Sequence, residues 1–148
     1  MEGRVLRMLK GISPVLSPKL LKILMEMGHG DELVIGDGNF PAASMGKRLV
    51  RLDGHGVPEI LEAIMQLFPL DTFVERPVGL MQVVPGDDTV PVIWEDYKRI
   101  IAKYEGDVRI EEIERFAFYD RAREAYCCVA TGERALYANI ILKKGVVI

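Results

Sequence analysis

With two histidines in the chain, the choice of an acid–base group is short. His29 lies in Met27-Gly28-His29-Gly30-Asp31-Glu32, where the flanking glycines free the backbone and leave the ring unobstructed. An imidazole, with an ordinary pKa of about 6.5, can take up or release a proton at neutral pH. Asp31, two residues on, is placed to orient that ring or to balance its charge. A loop histidine bonded to nearby backbone is an equally good reading of the spacing alone. His55, in Asp53-Gly54-His55-Gly56, reads as a surface turn residue ahead of a helix.

The other polar candidates suit hydroxyl groups. Asp37 follows a short apolar stretch and so falls at the carboxyl end of a strand, where open α/β sheets hold ligands. Gly36-Asp37-Gly38 starts like a dinucleotide loop, but the third glycine position is Pro41 and the phosphate cradle is broken. A carboxylate without that cradle fits neutral hydroxyls better than anions, although a plain turn aspartate is the commoner case. The run 114–120 alternates as a strand would. That pattern puts Phe116 and Phe118 on one face, with Arg115, Ala117 and Tyr119 on the other. Tyr137 and Asn139, at i and i+2, share a face in the same way. Each pair alone is ordinary, since strand tyrosines usually pack and keep a wet hydroxyl. As a set they point to a neutral, hydroxyl-rich ligand and to proton transfer at most.

Other chemistries find little support. Two histidines 26 positions apart and an adjacent Cys127-Cys128 pair match no zinc spacing, and no acidic run has calcium-loop order. There is no G-x-S-x-G, and neither cysteine has a basic neighbour to activate it. Adjacent cysteines in a strand point to opposite faces, which disfavours a disulfide and suits a reducing, cytoplasmic setting. The reading is therefore of a protein without metal or cofactor.

The elements that must position these residues follow from local signals. Ser17-Pro18 caps and opens a helix whose apolar positions are Leu20, Ile23, Leu24 and Met27, with Gly28 as a left-handed stop. Residues 32–35 form a buried strand running into a loop at 36–41. A helix starts at Pro58, and another spans about 94–104 with Trp94, Tyr97, Ile101 and Tyr104 on one face. Strands are expected at 78–84, 113–118, 126–130 and 138–142, with a short helical stretch at 120–125. Interleaved strands and helices give an α/β class with a central, mainly parallel β-sheet flanked by helices.

The chain has 148 residues, 49% of them apolar and 28% charged, with a net charge of −3. That is a globular composition of single-domain length, and it lacks the basic surplus of a nucleic-acid binder. The expected domain is 8–148, with 1–7 as an N-terminal extension and Met8 as an alternative start. No apolar run is long enough to span a bilayer, and no signal peptide is read at the N-terminus. A mean hydropathy of +0.14 is high for so small a chain and suggests burial against other subunits.

Longer stretches carry a resemblance. Leu9-Lys10-Gly11-Ile12-Ser13-Pro14, the G-H-G-D segment at 28–31, Arg115-Phe116-Ala117-Phe118-Tyr119, Tyr137-Ala138-Asn139 and Leu142-Lys143-Lys144-Gly145-Val146 resemble the fucose mutarotase branch of the family that also contains the ribose pyranases. The resemblance runs from Met8 to the end. It implies a cofactor-independent isomerase that interconverts the α and β anomers of a free sugar such as L-fucose. His29 would be the proton donor, with Tyr119 or a water relaying the anomeric proton. Asp37, Asp71, Arg115, Tyr137 and Asn139 would hold the sugar. Bacterial members often carry a second histidine where this chain has Asn39, which bears on sugar preference. The resemblance further implies a ring-shaped homo-oligomer, usually decameric, with its site near a subunit interface to which residues after Thr131 contribute. A ribose-type pyranase and a non-catalytic monosaccharide-binding protein are the alternatives.

Overall fold

Ser17 Oγ accepts from the Leu20 amide at 3.2 Å and Pro18 opens the first turn, so helix α1 (Pro18–Glu26) starts where its cap places it. The computed structural model describes residues 8–148, and the expected extension at 1–7 lies outside them. After α1 come β1 (Glu32–Gly36), α2 (Ala42–Met45), β2 (Leu49–Leu52), α3 (Val57–Met65), β3 (Val78–Met81) and α4 (Ile93–Glu105). The chain closes with β4 (Ile110–Ile113), α5 (Arg115–Glu124), β5 (Cys127–Thr131) and β6 (Ile140–Lys143).

Among the described residues the strands form one six-stranded sheet in the order β2-β5-β1-β6-β3-β4. β2 and β1 pair with β5 in parallel, and β3 pairs with β4 in parallel. β6 runs antiparallel to both β1 and β3, so the sheet is mixed with parallel pairs in the majority. Side-chain alternation divides the core between the two faces. Leu33, Ile35, Cys127, Val129, Ile140 and Leu142 pack with α1, α3 and α4, while Val34, Cys128, Ala130 and Ile141 pack under α2 and α5. Burial on both faces explains why these strands read as continuous apolar runs. The two cysteines do point to opposite faces as free thiols, and burial pushes Cys127 up to about 12 and Cys128 to about 11.

Three expectations need correction. The strand at 113–118 ends at Ile113, and α5 takes over at Arg115. The Glu114 carboxylate accepts from the Phe116 and Ala117 amides at 2.8 and 3.2 Å and so caps a helix where alternation suggested a strand. Phe116 is 60% exposed and Phe118 fully buried, so they share no face. Gly28 is not a left-handed stop: Met27 closes α1 in an extended conformation, and the positive φ falls at Gly30, +89°. Tyr137 lies outside β6 with a φ of +57°, not on a strand face.

Candidate functional site

The cleft begins at the carboxyl end of β1. Thr131 Oγ1 donates to the Gly36 carbonyl at 2.7 Å and the Gly38 amide donates to the Glu133 carbonyl at 2.8 Å, which pins the loop carrying Asp37 against the end of β5. Gly36 has no room for a side chain, because a Cβ there would meet the Phe40 ring at 2.7 Å. Asn139 enters from the start of β6, its Oδ1 accepting from the Asp37 amide at 2.7 Å. Asp37 itself is 7% exposed, and its Oδ1 accepts from the Asn39 amide at 3.0 Å. Burial pushes its carboxyl above the ordinary carboxylate range, against the opposing pull of the Asn39, Ala138 and Phe40 backbone groups.

Helix α5 supplies the opposite wall. Arg115 and Tyr119 stand at i and i+4 of a helix, so they do present a guanidinium and a phenol together, through helical rather than strand periodicity. The Arg115 guanidinium sits 4.6 Å over the Phe116 ring, and Tyr119 packs 6.0 Å from the Phe40 ring. With Tyr137 they enclose a cavity of about 220 Å³ that Asp37, Asn39 and Asn139 also line. This is smaller than the roughly 300–1,000 Å³ of drug-sized sites and suits a small polar molecule. Sequence reasoning missed Phe40, Met81 and Asp87, which line the same cavity. Asp87 was visible there as part of a Pro-Gly-Asp-Asp turn and nothing more.

His29 is elsewhere. Its Nε2 lies 2.9 Å from Asp71 Oδ1, and its ring packs at a 53° tilt against that of Phe73, with centroids 5.0 Å apart. Asp31 does not orient it: that carboxylate accepts from the Gly28 amide at 2.7 Å and braces the turn. Gly30, in its left-handed conformation, donates to the Lys144 carbonyl at 2.8 Å, while the Asp71 amide donates to the Lys143 carbonyl at 3.0 Å. His29 and Asp71 thus gather where β1 begins and β6 ends. The His29 side chain is 42% exposed and Asp71 only 4%. Burial raises the Asp71 carboxyl, but the Phe73 amide, the His29 ring and Lys143 together outweigh it and hold Asp71 below the usual range. Because β1 and β6 are antiparallel, Asn139 and Lys143 lie at opposite ends of the sheet. The five residues of β1 cover about 16 Å at ~3.3 Å each, so His29 does not reach its own chain's cleft. His55 faces neither group; it pairs with Glu59 on α3. Among the described residues, no three His, Cys, Asp or Glu side chains converge, and no helix is long and apolar enough to cross a membrane.

The model of the RbsD / FucU transport protein family matches residues 10–147. This chain belongs to that family. Within it, the chain is similar to an L-fucose mutarotase of Actinobacillus pleuropneumoniae, 55% identical over 140 residues, covering 94% of this chain and 97% of the relative. The human fucose mutarotase is 50% identical over 145 residues, covering 93% and 94%. Among solved structures of the family, the fucose mutarotase of Streptococcus pneumoniae in complex with L-fucose superposes with a TM-score of 0.91 at 51% identity, covering 95% of this chain and all of that one. FucU of Bifidobacterium longum also gives 0.91, at 55% identity over 94% of this chain and 100% of its own. The RbsD of Bacillus subtilis complexed with D-ribose, at 20% identity and a TM-score of 0.70, shares the fold.

Proposed function

We propose that the protein is a sugar mutarotase, an isomerase that interconverts the α and β anomers of free L-fucose without a cofactor. The observation that carries this reading is 55% identity across 94% of the chain to a protein named L-fucose mutarotase. The site chemistry agrees with it. One end of the sheet offers two carboxylates, a guanidinium, two phenols and two amides, a set suited to a neutral sugar's hydroxyls. The other offers a histidine held by an ionised carboxylate.

The bond to Asp71 commits the His29 Nε2 proton and leaves Nδ1 to work. Protonated His29 gives a proton from Nδ1 to the ring oxygen as the C1–O5 bond breaks. The anomeric hydroxyl gives up its proton to water, directly or through the Tyr119 hydroxyl, which takes it as it passes its own proton on to solvent, and the C1 aldehyde forms. Rotation about C1–C2 exposes the other carbonyl face, and the reverse transfers close the ring with no net proton change. Asp37, Arg115, Tyr137 and Asn139 hold the remaining hydroxyls.

His29 and this cleft act on one sugar only if they come from different subunits, so the reading includes a ring of copies, usually ten in number, arranged head to tail. Exposed apolar residues at both ends support it. Phe73 is 74% exposed beside His29, while Phe116 and Leu136 are exposed beside the cleft. A heterologous interface joins two such unlike patches, and closure of the rotation makes a ring. Free buried thiols fit a cytoplasmic enzyme.

Exchange spectroscopy by NMR between the anomers of L-fucose, D-galactose and D-ribose, with and without protein, tests the function. Faster exchange of L-fucose anomers is expected. Binding without acceleration would overturn the isomerase, and faster pyranose–furanose exchange of ribose alone would make it a pyranase.

Two variants follow from the site's electrostatics. Asp71→Asn replaces a charged acceptor by a neutral one, and turnover should fall by about 10- to 150-fold. The same group sets an acid limit. Its native pKa lies below the unfolded value, so its stabilising contribution is present above about pH 4 and is lost as pH falls through the lowered native value. Acid unfolding followed by circular dichroism should show wild type losing its stability advantage over Asp71→Asn in that window. Asp37 has the opposite sign, because its native pKa is raised. Ionising it costs folding free energy at neutral pH, so Asp37→Asn should bind sugar poorly yet melt higher, by about 2–4 °C for each kcal/mol recovered. The gain should vanish below the ordinary carboxylate pKa, where the wild-type carboxyl is neutral in both states. A lower melting temperature for Asp37→Asn at pH 7 would contradict this.

A further inference from the structure

The 82–92 connection between β3 and α4 brings a carboxylate to the cleft that the mechanism above does not use. Tyr137 Oη donates to Asp87 Oδ2 at 2.6 Å, and the Val84 amide donates to the same phenol oxygen at 3.3 Å. Asp87 is fixed in turn, its Oδ1 accepting from the Thr89 amide at 2.9 Å and from the Thr89 hydroxyl at 2.6 Å. Trp94 Nε1, on α4, donates to the Tyr137 carbonyl at 2.7 Å. Tyr137 is, among the described residues, the only non-glycine with a positive φ, a conformation that persists when its surroundings over-determine it. Such conformations cluster at ligand sites.

A phenol oxygen has one proton to give and two lone pairs. Here the proton is committed to Asp87 and one lone pair to the Val84 amide, which leaves a single acceptor position in a cavity that Tyr137, Asp87 and Arg115 all line. We propose that Asp87 is a positioning residue of the sugar site: by holding the Tyr137 proton it makes the phenol oxygen an acceptor, which selects a sugar that offers a hydroxyl donor at that point. The proposal rests on the mutarotase reading. It assigns Tyr137 to recognition and leaves proton relay to Tyr119.

The charge states are consistent with this. The hydrogen bond to Asp87 raises the Tyr137 phenol, against the Val84 amide and the Arg115 guanidinium, which lower it. The Thr89 hydroxyl and then the Tyr137 phenol lower Asp87. At neutral pH the carboxylate is therefore charged and the phenol protonated. Asp37, at the end of β1, and Tyr119, on α5, are the other titratable groups lining the cavity.

The test compares wild type with Asp87→Ala, Asp87→Asn, Tyr137→Phe and the double variant Asp87→Ala/Tyr137→Phe. L-fucose anomer exchange is measured over a range of sugar concentrations. Asp87→Ala should raise KM about 5- to 10-fold, the worth of one neutral hydrogen bond between a sugar hydroxyl and the Tyr137 phenol oxygen, and change kcat much less. Asp87→Asn should recover most of the loss, because its amide oxygen still accepts. The double variant should be no worse than Tyr137→Phe. Ultraviolet titration should show one tyrosine ionising at lower pH in Asp87→Ala, and that change should be missing once Tyr137 is Phe. An unchanged KM in Asp87→Ala overturns the proposal, and so do effects of the two substitutions that add in full. If wild type binds L-fucose without speeding its exchange, the mutarotase reading fails, and the same comparison made in Kd still decides the role of Asp87.

Discussion

His29→Ala loses about 10²–10⁴-fold of the acceleration of L-fucose anomer exchange, the usual contribution of one positioned acid–base group. The fold should survive the change. His29 is partly exposed, and its contacts are the Asp71 carboxylate and the Phe73 ring. Asp71 keeps the Phe73 amide, 3.0 Å from Oδ1, when the imidazole is gone. A partly buried hydrogen bond of this kind is worth about 1 kcal/mol net, so the melting temperature of a 148-residue chain should fall by only a few degrees, about 2–4 °C. Sugar affinity should change little, because the other hydroxyls are held by Asp37, Arg115, Tyr137 and Asn139 and not by His29. The loss should therefore fall on kcat. His29→Gln, which can still bond to Asp71, should be as inactive as His29→Ala while keeping wild-type stability. Added imidazole should restore part of the rate to His29→Ala and none to His29→Gln, whose side chain fills the space. Wild-type exchange rates in either variant would remove His29 from the mechanism.

Much of this site was legible in the sequence, for reasons of unequal quality. Glycines on both sides of His29 and a carboxylate just past a buried strand are local signals, and the structure keeps both residues where those signals put them. Arg115 and Tyr119 were paired by a strand alternation that does not exist. The pairing holds because a spacing of four residues returns to the same side under either period, 2.0 or 3.6. Phe116 and Phe118, two apart, are the pair that tells the periods apart, and they fall on different faces. The capping role of Glu114 was the missed clue, since glutamate is not among the favoured N-cap residues. The partner of His29 was not locally legible at all. Asp31 is two residues away and faces the turn backbone, whereas Asp71 arrives across 42 positions because the segment after α3 returns alongside the end of β6. The left-handed Tyr137 and its hold by Asp87 and Trp94 likewise depend on three segments meeting, and no pattern within any one of them announces it.

The same antiparallel pairing of β1 and β6 leads to the second large effect. If each working site takes its histidine from one subunit and its cleft from the next, two inactive variants should repair each other. One parent is His29→Ala, with an intact cleft and no proton donor. The other is Arg115→Ala/Tyr119→Phe, two changes on α5, at the exposed Arg115 and the half-buried Tyr119, that spare the histidine end. Each alone should be close to inactive. Co-expressed in equal amounts with different affinity tags and purified through both, they should form mixed rings if the proposed assembly holds. In a head-to-tail ring every interface pairs one subunit's histidine end with its neighbour's cleft. With random placement, half of the histidine ends are intact and half of the clefts are intact, and the two meet independently. About a quarter of the sites should therefore work, restoring about a quarter of wild-type activity per subunit. A site built within one chain predicts none, because no chain in the mixture carries both halves. Parents that are mixed only after purification should show no restoration until the rings exchange subunits. Doubly tagged rings with no activity would place His29 and the cleft in separate functions, and would overturn the shared site while leaving the fold and the family untouched.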